Sequence, residues 1–576
     1  MSQPNIHFDV SFTEPQAHYI DVRMEISGLN QHEIELIMPV WTPGSYLVRE
    51  FSKNMEAFKV TSNGKQIAYQ KLRKNSWLIS TQNLENLLVF YRIYAFEVSV
   101  RTCFADRSHA FLSPTGLFLY PEGMLGLPST IRINLPDYWQ KISTGLENHQ
   151  NDPCCFYAPN FDTLYDSPIE AGNQHVFSFT ASGVLHEVAM YGGGMYHEEK
   201  LIADFTRIIE EETGIFGENP NKRYVFIIHN FNAGGGGLEH CNSTVLAVPR
   251  AAYAAEKTYQ DFLGLVSHEY FHLWNVKRLR PEALGPFDYQ QENYTTSLWI
   301  AEGFTAYYDN LVLRRSGLIS AENYLKLLAA DISNVENLPG RKIQTVTEAS
   351  FDTWIKFYRP NENTPNATIS YYVKGSLIAL CIDLLIIRQT NCQFSLDEVM
   401  KRMYQQFYKT ENRGYTEHEF RAALEQIAGC GLNHIYEQYI NGLEDMDYNH
   451  YLGYAGLRLR VCAPETKVLP ATGLTAAINN GKLMVTFVER NAAAWHAGIS
   501  VNDELLAING NRIADLEKPL QFLLPGDTIE CTLVRDGRLL QIPLTLQHQH
   551  KIKYAIEEAP EAEEWQMAVR NKWLKL

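Results

Sequence analysis

The stretch Val266-Ser267-His268-Glu269-Tyr270-Phe271-His272-Leu273-Trp274 decides how the rest of the chain is read. Phe262, Leu265, Val266 and Leu273 give its surroundings an apolar face at helical spacing, and Pro281 marks an end. A helix is therefore predicted from roughly Glu256 to Lys277. Residues four apart stand one above the other on a helix, so the imidazoles of His268 and His272 reach toward one ion. Glu269 points close to that face without being needed as a ligand. Two imidazoles beside such a carboxylate are the donor set of a catalytic zinc and its general base.

A catalytic zinc takes three protein ligands and keeps one position open. The downstream acids are Glu282, Glu292 and Glu302. Glu282 follows Pro281 too closely to fold back, and Glu292 falls in a predicted loop. Glu302 lies in a second predicted helix, about Ser297 to Arg315, that stops at Gly317 after a connector long enough to turn round. Glu302 is the expected third ligand, and one zinc ion is expected in all.

Upstream, Gly234-Gly235-Gly236-Gly237-Leu238-Glu239-His240 lets a backbone pass very close to something. Either a substrate main chain runs beside Gly236 and Gly237, or the glycines form a flexible surface turn. Glu239, at the edge of a metal cleft, is suited to receive a cationic amine. Downstream, Lys374 to Arg388 is apolar nearly all round and reads as a buried helix. Tyr371 and Tyr372 stand at its head, where a phenol either hydrogen-bonds an oxyanion or simply packs.

At 576 residues the chain is too long for one core. A hydrophobic share of 45% and a charged share of 20% are those of an ordinary globular protein, so composition does not set it apart. The net charge of −16 argues against nucleic acid and anionic membranes as partners. Nine scattered cysteines without a Cys-x-x-Cys indicate neither a cysteine zinc site nor a disulfide framework. No basic-then-apolar leader opens the sequence, and the apolar run Leu377 to Ile387 covers about half a bilayer and contains Asp383. A cytoplasmic protein without a membrane partner is expected.

Residues 1–172 read as a β-rich domain, from the alternation in Val10 to Met24 and Glu33 to Leu36 and the strand-rich Leu88 to Val100. Within it, Trp41 to Phe51 sets Arg49 and Glu50 among aromatics, either as a loop reaching the cleft or as an ion pair at a domain junction. Residues 173–325 carry a helix at Glu198 to Thr213, a buried strand at Arg223 to His229 and the histidine motif. Residues 326–450 are helical, with a capping box at Thr416 and Glu419. Residues 453–548 resemble a PDZ domain in the order of Gly456-Leu457, Val485 to Val488, Ala494 to Ile499, Asn502 to Gly510 and Ile529 to Gly537. Such a domain implies a C-terminal peptide ligand at a sheet edge, unless it only packs against the rest. In the tail, 549–576, Trp565, Val569 and Trp573 fall at helical spacing and predict a short docking helix.

Taken together, the sequence resembles the glycyl aminopeptidase family of zinc metallopeptidases, gluzincins that join a thermolysin-like catalytic domain to a PDZ domain. The resemblance runs through Trp41–Phe51, Gly236–His240, His268–Pro281, Trp299–Tyr308, Tyr372–Gly375 and the PDZ stretch. It implies a multidomain α+β fold: an N-terminal β-sandwich-like domain, a thermolysin-like domain continuing into a helical domain that completes the active site, and a C-terminal PDZ domain. Wider gluzincin aminopeptidases share the His-Glu-x-x-His and the later Trp-x-x-Glu-Gly-Phe. Their Gly-x-Met-Glu-Asn corresponds to Gly236–His240 and their Tyr-x-Lys-Gly to Tyr372-Val373-Lys374-Gly375.

The resemblance implies His268, His272 and Glu302 as zinc ligands, Glu269 and Tyr372 (rather than Tyr371) as catalytic residues, and Gly236, Gly237 and Glu239 as substrate-binding. It further implies removal of small N-terminal residues, Gly or Ala, from peptides. His240 replaces the usual Asn, and 30 positions separate His272 from Glu302, more than in better-known aminopeptidases but suited to this family. Two rival readings are a zinc endopeptidase supplied by its PDZ domain and a non-catalytic PDZ adaptor with a vestigial metal site. A complete ligand set beside Glu269 speaks against the adaptor.

Overall fold

Alternating side chains build the first layer of the chain. In Asn5–Ser11, Ile6, Phe8 and Val10 are fully buried while their neighbours face outward, as a period of two requires. The strand pairs antiparallel with Tyr19–Ser27 and parallel with Ser129–Asn134 inside an eight-stranded sheet. Two four-stranded sheets share one core with it, including Trp77, Phe118 and Phe156. The computed structural model describes residues 4–462, 470–548 and 551–576, so residues 1–3 of the predicted first domain, 463–469 of the predicted PDZ stretch and 549–550 of the tail lie outside it.

The chain divides into two units. The first comprises Met1–Thr295, Tyr308–Ile319 and Asp397–Ala423. Besides the β-rich region it holds a five-stranded sheet ordered His175–Ala181, Val184–Tyr191, Arg223–Phe231, Ser243–Pro249, Gly237–Glu239. Arg223–Phe231 is parallel to both its neighbours, and its interior is buried, which is why it reads as an unbroken apolar run. Gly237–Glu239 forms the antiparallel edge. The helix predicted to stop at Thr213 extends over Glu198–Phe216, and Gly217 ends it in the left-handed region.

The motif helix is Glu256–Phe271, shorter than its periodicity predicts. His272 caps it, still with helical dihedrals, and its N–H donates to the His268 carbonyl. The chain then turns tightly because His272 Nδ1 lies 2.7 Å from the Asn275 carbonyl, and the N–H groups of Arg278 and Leu279 both return to the Trp274 carbonyl. The one-turn relation of the two histidines survives the early stop. The capping box at Thr416 forms, with Glu419 N–H on Thr416 Oγ1 and Thr416 N–H on Glu419 Oε2.

The second unit comprises Thr296–Tyr307, Ser320–Leu396 and Leu424–Leu576. The helix predicted from Ser297 is split into Leu298–Ala301 and Gly303–Arg315, with Glu302 at the joint. The apolar helix spans Tyr371–Gln389. Within it Asp383 is fully buried and accepts from Tyr307 Oη at 2.5 Å and Leu396 N–H at 2.8 Å. A six-stranded antiparallel module with its own core runs from Leu474–Asn479 to Arg538–Thr545. Leu457–Val461 and Tyr554–Glu558 pair antiparallel, so the module is entered and left through one ribbon. The tail helix, Glu564–Leu574, buries Val569 and Trp573, and Trp573 Nε1 donates to Tyr307 Oη at 2.9 Å. Trp565 instead carries the Arg388 guanidinium on its face at 4.2 Å.

The chain is thus multidomain α+β, with a β-rich N-terminal domain and a helical C-terminal half. Among the described residues no helix is long and apolar enough to cross a membrane.

Candidate active site

In the first unit, His268 and His272 bring their Nε2 atoms to 3.1 Å. The other nitrogen of each ring is occupied. His272 Nδ1 faces the Asn275 carbonyl, which only accepts, so Nδ1 carries the hydrogen and Nε2 presents a lone pair. His268 Nδ1 lies 3.3 Å from Asp309 Oδ2, whose other oxygen accepts from Asn310. Two lone pairs facing each other repel unless a cation lies between them. Two ligands on a tetrahedral zinc stand about 3.3 Å apart at Zn–N distances near 2.05 Å, so the imidazole pair fits a metal ion.

Glu269 is buried beside this pair, and a metal-binding atom each from Glu239, Glu269 and His272 lie within 4.8 Å of one another. A Cβ on Gly237 would stand 2.2 Å from Glu269 Oε1, so the strand closes on the carboxylate where only glycine fits. The Gly237 carbonyl accepts from Arg101 Nη2 at 3.0 Å. Gly236 takes φ 111°, open only to glycine.

Glu239 ends the edge strand and is 4% exposed, and its Oε1 has no hydrogen-bond partner among the described residues. A buried carboxylate oxygen left in this way costs stability unless a ligand meets it. The loop Trp41 to Phe51 does reach this group: at Gly44, φ 83°, a Cβ would stand 2.5 Å from Glu239 Oε1. On the same side, Trp41, Tyr46, Glu239, Lys277, Arg280 and Phe287 line a cavity of about 360 Å³.

His240, the departure from the Gly-x-Met-Glu-Asn pattern, places Nδ1 3.0 Å from Asp166 Oδ1. Asp166 also accepts from Lys277 Nζ at 2.6 Å and from Cys241 N–H at 2.8 Å. Burial pushes its carboxyl up, but the Lys277 ammonium and His240 outweigh burial and hold it well below the usual range. Asp166 sits in no periodic or motif context, and its sequence gave no signal. Glu212 did give one: it falls on the buried face of Glu198–Phe216, in step with Phe205, Ile208, Ile209 and Phe216. It accepts from Ser267 Oγ at 2.8 Å, and burial raises its carboxyl well above the usual value.

The second unit holds Glu302 and Tyr372 and brings their helices together. A Cβ on Gly303 would stand 2.6 Å from Gly375 Cα, and one on Gly375 2.7 Å from the Trp299 carbonyl. The glycines of Glu302-Gly303 and Tyr372-Val373-Lys374-Gly375 are the contact point of two helices touching backbone to backbone. Of the two tyrosines, Tyr371 is fully buried and bonds Thr353 Oγ1 at 2.9 Å. Burial raises its phenol well above the ordinary value. Tyr372 is half-buried, with Phe357 stacked on it at 5.4 Å.

Residues 7–173 match the Peptidase M61 N-terminal domain, and residues 261–378 match the M61 glycyl aminopeptidase domain. The crystal structure of an aminopeptidase N family protein from Idiomarina loihiensis aligns at a TM-score of 0.92 and 32% identity, over 99% of this chain and 100% of that one. An M1 zinc metallopeptidase from Deinococcus radiodurans aligns at a TM-score of 0.47 and 12% identity, over 74% of this chain and 90% of that one. No curated protein matches the chain.

Proposed function

The chain belongs to the M61 glycyl aminopeptidase family of peptidases, and on that premise we propose a zinc-dependent aminopeptidase that removes small N-terminal residues, Gly or Ala, from peptides. The observation that carries the zinc is the pair of Nε2 lone pairs 3.1 Å apart, each ring fixed through its other nitrogen. His268, His272 and Glu302 are the proposed ligands. Glu302 precedes Asp309, the partner of His268, by seven residues, two turns along one face of a nearly continuous helix.

Bound zinc supplies the Lewis acidity that makes a water nucleophilic at neutral pH and polarises a carbonyl. Glu269 takes the proton of the attacking water and hands it to the leaving amine as the C–N bond breaks. Tyr372 donates to the oxyanion, because its neighbour Tyr371 is buried and bonded to Thr353. Glu239 meets the substrate α-ammonium with its buried oxygen and so limits cleavage to the first residue. Gly236 and Gly237 let the substrate main chain approach.

We assign residues 453–548, to which the six-stranded module belongs, as a PDZ domain with a C-terminal peptide as ligand. The burial of Trp573 of the tail helix against Tyr307 supports a separate peptide, rather than that helix, as the ligand. Nine free thiols suit the cytoplasm.

Glu269→Gln tests the reading. Bound zinc should remain while hydrolysis of alanine p-nitroanilide falls by roughly 10²–10⁴-fold, and N-acetylated peptides should resist the wild type. Undiminished turnover removes Glu269 from the reaction; cleavage of the blocked peptides makes the enzyme an endopeptidase.

A further inference from the structure

The stretch of the second unit that leads into Tyr372 is fastened to the six-stranded module by one side chain. Asn366, 2% exposed, lies in the short helix Thr364–Ala367. Its Nδ2 donates to the Val488 carbonyl at 2.8 Å and to Asn363 Oδ1 at 3.1 Å, while its Oδ1 accepts from Arg490 N–H at 2.8 Å. One amide thus grips the tripeptide Val488-Glu489-Arg490 from both sides. Glu489 between them donates its N–H to the Gly473 carbonyl at 2.7 Å, at the head of the edge strand Leu474–Asn479.

Little slack remains between Asn366 and the phenol. A Cβ on Gly340 would stand 2.1 Å from the Thr368 carbonyl, so that turn lies directly on the segment. Ile369 N–H donates to Gln344 Oε1 at 3.2 Å. Ser370 caps the next helix by accepting Val373 N–H at 3.4 Å, and Tyr371 is bonded to Thr353. Tyr372 follows, stacked on Tyr371 at 4.8 Å and on Phe357 at 5.4 Å. A shift of Val488–Arg490 must either carry Asn366 with it or leave a buried donor and acceptor unpaired, and the second is costly.

We propose that Asn366 is a positioning residue: it ties the module to the Tyr371–Gln389 helix and sets the Tyr372 phenol, so that the module is part of the catalytic apparatus. This deepens the proposed function and rests on the role given there to Tyr372.

The test is a double-mutant cycle on the full-length zinc-loaded chain, with wild type, Asn366→Ala, Tyr372→Phe and the pair, read as kcat and KM for alanine p-nitroanilide. Each single change should lower kcat about tenfold with KM within about twofold, and the pair should be no slower than Tyr372→Phe alone. Arg490→Pro, made on the module side, deletes the N–H that Asn366 accepts and should lower kcat in the same way. Asn366→Asp keeps the acceptor for Arg490 but sets an oxygen against the Val488 carbonyl; it is expected to match Asn366→Ala and stands in if that variant fails to fold. Losses that multiply in the pair, or no loss in the Asn366 variants while Tyr372→Phe is impaired, overturn the positioning role. Wild-type turnover in Tyr372→Phe overturns the role of the phenol itself, and the proposal with it.

Discussion

Gly237 has room for a hydrogen and nothing larger, because Glu269 Oε1 fills the place of a Cβ. Gly237→Ala should therefore move the base rather than the metal: turnover falls by about 10²-fold while zinc content is unchanged, as metal analysis beside kinetics will show. His186 gives a pH prediction. It is fully buried, with Nδ1 on the Val184 carbonyl and Nε2 accepting from Tyr270 Oη at 2.9 Å. Burial pushes its imidazole from 6.5 down to about 4. The folded value lies below the unfolded one, so this contribution is present above pH 6.5 and is lost as pH falls toward 4, on the order of 3 kcal/mol. Denaturant unfolding between pH 7 and 4 should show that loss in the wild type and a flatter profile in His186→Leu. At this scale the metal-site candidates were legible, since His268, Glu269 and His272 announce their chemistry by spacing. The cluster that joins Asp166 to His240 and Lys277 was not, because these partners lie 74 and 111 positions from Asp166.

Among elements, the contact of Gly303 with Gly375 links two motifs that sequence spacing leaves far apart. Gly303→Ala should overpack this crossing and destabilise the fold by roughly 1–3 kcal/mol, read as a lower denaturant midpoint at an unchanged slope. It should also lower kcat, since Glu302 and Tyr372 ride on those helices. An unchanged midpoint would mean the helices separate without penalty. Periodicity found the buried strand Arg223–Phe231, the apolar helix and the Trp573 docking helix, because each buries a face whose period survives in the sequence. It overran the motif helix by six residues. The early stop is set by the bond from His272 Nδ1 to the Asn275 carbonyl, which leaves the apolar pattern of 262–273 untouched.

For the molecule as a whole, the β-rich start and helical second half were legible from composition shifts and from the order of motifs. What the sequence hid is that each unit is assembled from separate stretches of chain, and that the six-stranded module hangs on a ribbon whose second strand, Tyr554–Glu558, comes after it. A ladder between strands so distant carries no local signature. The central claim is that His268 and His272 share one zinc with Glu302 and that this ion is needed for hydrolysis. Its most direct measurement is zinc content and alanine p-nitroanilide turnover in Glu302→Gln, beside the wild type, after chelation and return of zinc. The wild type should hold one zinc per chain and regain its activity, while Glu302→Gln neither holds zinc nor turns over at the concentration that restores the wild type. A Glu302→Gln protein with one bound zinc and wild-type turnover contradicts the claim.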